Sequence, residues 1–149
     1  MKIYLASSFG AKDSEKRKNS ERAAEILKDN GYEVYCPWEY QIPHAWDYTN
    51  QEWGLMVFTN DLYALDHADA IVMLSYGRTE TASGTNWEAG YAYGIGKKVI
   101  VVEMDEPQVM SLMVANGCYA RLKGLEGLKR YVTLNSSMMN RDRTDTWQE

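Results

Sequence analysis

The chain has 149 residues, 45% apolar and 25% charged, the length of one domain that buries its own core without a disulfide or metal staple. Its 16 basic and 21 acidic residues leave a formal charge of −5, which argues against the basic stripe that nucleic-acid binding requires. Cys36 and Cys118 are too few for a disulfide framework or zinc site, no apolar stretch approaches the roughly 20 residues of a membrane span, and Ser7-Ser8 interrupts the apolar start too early for a signal peptide. A soluble, cytoplasmic protein is expected.

Strand and helix patterns then alternate. Ile3-Tyr4-Leu5-Ala6 is a β-prone run, and residues 12–30 carry Ala23, Ala24, Ile26 and Leu27 on one helical face. Gly31 follows, where a helix end favours a residue tolerant of positive φ. Tyr32-Glu33-Val34-Tyr35-Cys36 alternates as a strand does, and Pro37 stops it. Residues 37–50 read as a loop with three aromatics, Trp38, Tyr40 and Trp46. Helical spacing returns over 51–67, through Trp53, Met56, Val57, Leu62 and Leu65.

Ala70-Ile71-Val72-Met73-Leu74-Ser75 and Val99-Ile100-Val101-Val102 are unbroken apolar runs, as in strands buried on both faces. Between them, residues 85–93 predict a helix; Gly90 and Gly94, four apart, mark a close helix contact. A short amphipathic helix is expected over 108–115. Beyond Gly117 the pattern defines no clear element, and residues 135–149 form a polar tail expected to be flexible or to dock on a neighbour. The rhythm predicts a single-domain α/β fold over 1–149: a flavodoxin- or Rossmann-like parallel sheet with helices on both faces. Ligands of such sheets bind beyond the carboxyl ends of the strands, which points to residues 7–10, 75–84 and those after 103.

Several chemistries are missing there. No Walker-type loop and no GxGxxG follows the first strand, and no G-x-S-x-G elbow is present. Ser7-Ser8 and Ser75 stand where a phospho-acceptor domain needs acids. His44 and His67 have no metal-ligand spacing, so neither a metal nor a cofactor is expected. Carboxylates remain. Glu88 lies at the start of a helix that follows the third strand, and it reads in two ways: as the acid of a Thr85-x-x-Glu88 capping box, or as an ionised nucleophile at the edge of the pocket, favoured by the helix dipole. Asp61 is either a solvated helix residue or a second carboxylate of the site.

Four segments resemble the nucleoside 2-deoxyribosyltransferases and their nucleotide N-glycosidase relatives. They are Ile3-Tyr4-Leu5-Ala6; Trp53 with Asn60-Asp61-Leu62 and Ala68-Asp69-Ala70-Ile71; Gly84-Thr85-Asn86-Trp87-Glu88-Ala89-Gly90-Tyr91-Ala92, continued by Gly96-Lys97-Lys98-Val99-Ile100; and Ser111-Leu112-Met113. The resemblance implies Glu88 as nucleophile, Tyr4 as its hydrogen-bond partner and Asp61 as the group that helps protonate the base. It also implies a homo-oligomer in which Ser111 and Met113 reach a neighbour's pocket.

Where the transferases carry an Asp and an Asn that read the sugar 5′-hydroxyl, this chain has Ala82 and Ser111. With Ser7, Ser8, Ser83 and Gly84 nearby, that exchange leaves room for a 5′-phosphate that an Asp would repel. The substrates implied are a nucleoside or nucleotide and a free nucleobase, without nucleic acid, membrane or cofactor. The sugar passes through Glu88 to another base or, in the alternative, from a 5′-monophosphate to water. A non-catalytic nucleotide-binding or sensing module is the alternative of another class.

Overall fold

The computed structural model describes residues 1–77, 83–105 and 110–134. In chain order the elements are β1 (Lys2–Ala6), α1 (Glu15–Asp29), β2 (Glu33–Tyr35), α2 (Asn50–His67), β3 (Ala70–Ser75), α3 (Ser83–Gly94), β4 (Lys98–Glu103), α4 (Leu112–Gly117), β5 (Ala120–Lys123) and α5 (Gly124–Leu134). The loop expected over 37–50 contains two single 3₁₀ turns, Pro37–Glu39 and Ala45–Asp47. The strands form one parallel sheet ordered β2-β1-β3-β4-β5, the flavodoxin-like arrangement whose switch point lies between β1 and β3.

Side chains of a strand alternate between the two faces of its sheet, and this alternation sorts the core. Ile3, Leu5, Val72, Leu74, Ile100 and Val102 pack with Ala23 and Leu27 of α1 and Leu128 and Val132 of α5. Tyr4, Ala6, Ile71, Met73, Val99 and Val101 face the other way, against Leu65 of α2 and Ala89 and Ala92 of α3. The helices that matter for the site, α2 and α3, therefore share the face onto which Tyr4 projects.

Caps place the helices in register with the strands. Ser14 Oγ accepts from the Arg17 amide at 3.1 Å and opens α1; Gly31, at φ +88°, lets the chain leave it. Thr49 and Glu52 exchange a reciprocal capping box at the start of α2, with bonds of 3.1 and 2.9 Å. Asp69 ties β3 to β1 by accepting from the Lys2 amide at 2.7 Å.

The structure departs from the sequence expectations in three places. β5 and α5 are regular elements that the pattern beyond Gly117 did not define. Gly127 of α5 lies against β5: a Cβ there would stand in ordinary contact, at 3.5 Å, with Leu122. Gly90 and Gly94 do not show the expected close contact among the described residues, where a Cβ at either would meet nothing within 4 Å. And α3 starts at Ser83, so Thr85 is a buried residue inside the helix and not the cap of a box with Glu88.

Leu128 of α5 is fully buried against the sheet. Leu128→Ala should cost about 2–5 kcal/mol of stability by leaving a cavity, measured by urea denaturation. An unchanged midpoint would mean that α5 is not part of the cooperative core.

Candidate functional site

The site begins with a strand register. Tyr4 of β1 lies directly beside Tyr35 of β2 and Ile71 of β3. Neighbouring strands lie about 4.8 Å apart, so paired side chains on one face lie alongside each other; the Tyr4 and Tyr35 rings stack at 5.3 Å between centroids and 23° between planes. Tyr4 is fully buried. Its hydroxyl reaches α3 and donates to Oε2 of Glu88, which stands in the second turn of the helix and not at its start as expected. Tyr35 donates to Oδ1 of Asp61, on α2, at 2.8 Å.

Asp61 and Glu88 line one open cavity of about 410 Å³, together with Phe58, Leu62, Leu65, Gly84 and Trp87. Phe58 and Trp87 meet edge to face at 5.7 Å between centroids, forming an aromatic rim of a kind that offers a flat ligand a stacking surface. Gly84 presents no side chain to this space, and a Cβ there would meet nothing within 4 Å.

Burial sets the electrostatics. Withdrawal from water pushes Glu88 up from 4.5 to about 7; the Tyr4 hydrogen bond opposes this and the Asp61 charge adds to it. Asp61 is also raised, chiefly by burial, with the Tyr35 hydrogen bond opposing. Tyr4 is driven far above the ordinary phenol range by burial and by the Glu88 charge, so it stays a hydrogen-bond donor at any working pH. Two carboxyls facing one cavity can serve as a nucleophile and acid pair; the nucleophile reading of Glu88 requires its ionised form, which prevails above about pH 7.

Of the other residues singled out in the sequence, Ser83 and Gly84 are the exposed first two residues of α3, and Gly84 lines the cavity. Ser7 is not gathered with Glu88. It follows Ile3 and Leu5 in strand alternation, and its buried hydroxyl is bonded to that of Ser20 on α1. Ser8 is half-buried in the β1–α1 connection. Ser111 caps α4, accepting from the amides of Met113 and Val114 at 3.2 and 3.4 Å, and Met113 is 83% exposed. Ala82 lies outside the described residues. Among those described, no group of three or more His, Cys, Asp or Glu side chains is placed to hold a metal ion, and no helix is long and apolar enough to cross a membrane.

Sequence reasoning passed over Tyr35 and Asn60 as members of the site. Asn60 Nδ2 donates to the Tyr35 hydroxyl at 2.6 Å. The signal for Tyr35 was present in a weak form, as a tyrosine in an alternating strand that ends at the carboxyl edge of the sheet.

A carboxyl raised by folding makes stability depend on pH. The folded state holds a proton on Glu88 up to about pH 7, whereas the unfolded chain releases it near 4.5. Stability contributed by the neutral carboxyl is therefore complete below 4.5 and lost as pH rises through 7, about 3 kcal/mol over that window. Glu88→Gln should flatten this slope in denaturation experiments at pH 5 and pH 8. Equal slopes in both proteins would show that Glu88 is solvated.

A family model described as nucleoside 2-deoxyribosyltransferase matches residues 3–140. Among solved structures, the 2-deoxyribosyltransferase of the psychrotolerant bacterium Bacillus psychrosaccharolyticus is 31% identical, with a TM-score of 0.78 over 88% of this chain and 92% of that one. The CMP N-glycosidase of Clostridium botulinum is 14% identical, with a TM-score of 0.58 over 89% and 99%. A conserved protein from Enterococcus faecalis V583 is 24% identical, with a TM-score of 0.54 over 91% and 87%. These last two share the fold. No curated protein matches the sequence. By the reach of the family model and the identity to the Bacillus enzyme, the chain belongs to the nucleoside 2-deoxyribosyltransferase family and is an N-glycosyltransferase or N-glycoside hydrolase.

Proposed function

We propose that the protein cleaves the N-glycosidic bond of a 2′-deoxynucleoside by double displacement and passes the sugar to a second base. The observation that supports this most strongly is the convergence of Glu88 and Asp61 on one cavity, each held by its own tyrosine hydroxyl. Ionised Glu88 attacks C1′ as the bond to the base breaks, and the base departs with the bonding electrons and a proton from Asp61. The sugar is then carried as an ester on Glu88. An incoming base returns its proton to Asp61, attacks C1′ and releases the carboxylate. Tyr4 orients Glu88 throughout. The electron-poor sugar of the transition state is stabilised by the fixed carboxylate beside it, as in retaining glycosidases.

A second reading keeps the site and substitutes a nucleoside 5′-monophosphate and water. It is favoured by Ala82 and Ser111, where a carboxylate and an amide would read a free 5′-hydroxyl. Base release from matched 2′-deoxynucleosides and their 5′-monophosphates, with and without a second free base, separates the two. A new nucleoside formed only with added base supports transfer; free base from monophosphates alone supports hydrolysis. Tight nucleotide binding without base release would instead indicate a sensing module. Glu88→Ala should abolish turnover with the fold retained, and a variant at the wild-type rate would remove Glu88 from the mechanism.

The same reading includes an oligomer. Leu112 and Met113 are 80% and 83% exposed on α4, and Trp87, which lines the open cavity, is 52% exposed. Large apolar side chains left in water mark an interface, and the occupant we propose is a second copy of this chain. Met113→Lys should yield a smaller particle by light scattering together with loss of activity. Full activity in a monomer would overturn the shared pocket.

A further inference from the structure

Asp61 has a partner that the family motif does not assign. Tyr35, the last residue of β2, donates to Asp61 Oδ1 at 2.8 Å. Its own oxygen accepts from Asn60 Nδ2 at 2.6 Å. A phenol has one proton and an amide nitrogen can only donate, so the amide occupies the oxygen and the phenol proton is directed at Asp61. The ring is held by the β1–β2 register and by its stack on Tyr4. Two stacked tyrosines thus each hold one carboxyl.

We propose that Tyr35 is a positioning residue for the proton donor: it keeps Asp61 Oδ1 as an acceptor, so that the proton passed to the departing base is carried on Oδ2, and Asn60 sets the direction of the Tyr35 hydroxyl. This rests on the reading of Asp61 as the acid. In that step the bond from C1′ to the base nitrogen breaks with its electrons going to the base. A Glu88 oxygen bonds to C1′, and the Oδ2 proton moves to the base. Asp61 is left as a carboxylate whose Oδ1 already accepts a hydrogen bond, and a donor to the charged form stabilises it. The arrangement serves the acid before transfer and its conjugate base after it.

The ionisable groups facing Asp61 are Tyr4 from β1, Tyr35 from β2 and Glu88 from α3. Lys2, Glu33 and His67 line a separate cavity of about 300 Å³ that Tyr35 and Asn60 border on their other side. Of these groups, Tyr35 is the one whose hydrogen bond lowers Asp61.

The test is Tyr35→Phe, which keeps the ring and removes the hydroxyl, with Asn60→Ala as a second variant that leaves the Tyr35 hydroxyl free to turn. Carboxyl titration by carbon-13 NMR should show Asp61 moving to higher pH in Tyr35→Phe, with a smaller response of Glu88 through its coupling to the Asp61 charge. Base release from ordinary 2′-deoxynucleosides or their monophosphates, each variant at its own pH optimum, should fall about tenfold, a fraction of the 10²–10⁴ that a general acid supplies. The alkaline limb of the profile should move up in pH. A substrate bearing an N7-methylated, already cationic purine needs no proton to leave, and its cleavage should be unchanged. Asn60→Ala should show the same pattern in weaker form. An Asp61 titration that does not move, or equal slowing of both substrate types, would overturn the proposal. If the wild type cleaves no nucleoside or nucleotide, the proposed function fails while the titration still decides whether Tyr35 holds Asp61.

Discussion

A carboxyl taken out of water beside a buried phenol is the constraint around which this molecule is arranged. Glu88 keeps its place because Tyr4 donates to it from the middle of the sheet, and Tyr4 can do so because β1 is flanked by β2 and β3. The switch point between β1 and β3 provides the opening, and α3 brings the carboxyl across it. A surface carboxylate needs none of this. A carboxyl with raised proton affinity needs a rigid donor, apolar walls and a second ionisable group close enough to share the proton traffic, and the face shared by α2 and α3 supplies all three.

How much of this could be read in advance depended on the range of the interaction. β3 and β4 were legible because burial on both faces leaves a continuous apolar run, and α1 because its buried stripe ends at a glycine. β5 and α5 were not: a four-residue strand with Ala120 and Leu122 inward carries little signal, and Gly124, at φ +64°, and Gly127 read as breakers although both lie within α5. Glu88 was visible through its place after β3. Its local reading as a cap partner of Thr85 failed because the helix begins at Ser83, leaving Thr85 to be buried in its interior. Ser7 was drawn to the site by chain position, but strand alternation turned it to α1. Tyr35 was only faintly legible as a site residue because its place beside Tyr4 comes from register, which links residues that the sequence keeps far apart.

Ser111 illustrates a residue with two claims on one hydroxyl. As the cap of α4 it accepts from two amides, so its oxygen is already occupied and its proton is what it can offer a ligand. A hydroxyl in that state is a donor, suited to an oxygen-rich group such as a phosphate and unable to accept strongly from a sugar hydroxyl. The asparagine of the related transferases offers both a donor and an acceptor. On the proposed reading of Ser111 as a substrate contact, the exchange alters the polarity of that contact as well as its reach.

β2 is three residues long and forms the outer edge of the sheet, paired on one side only. Edge elements open locally at lower free energy than central strands. The two halves of the site accordingly differ in security: Glu88 is held from a central strand and Asp61 from the border. Fraying of β2 would release the Tyr35 contact while the rest of the sheet stayed intact. On warming, such a molecule would lose the geometry around Asp61 before that around Glu88; on the proposed roles, heat would first blunt its ability to expel poor leaving groups, at temperatures where the core is still folded.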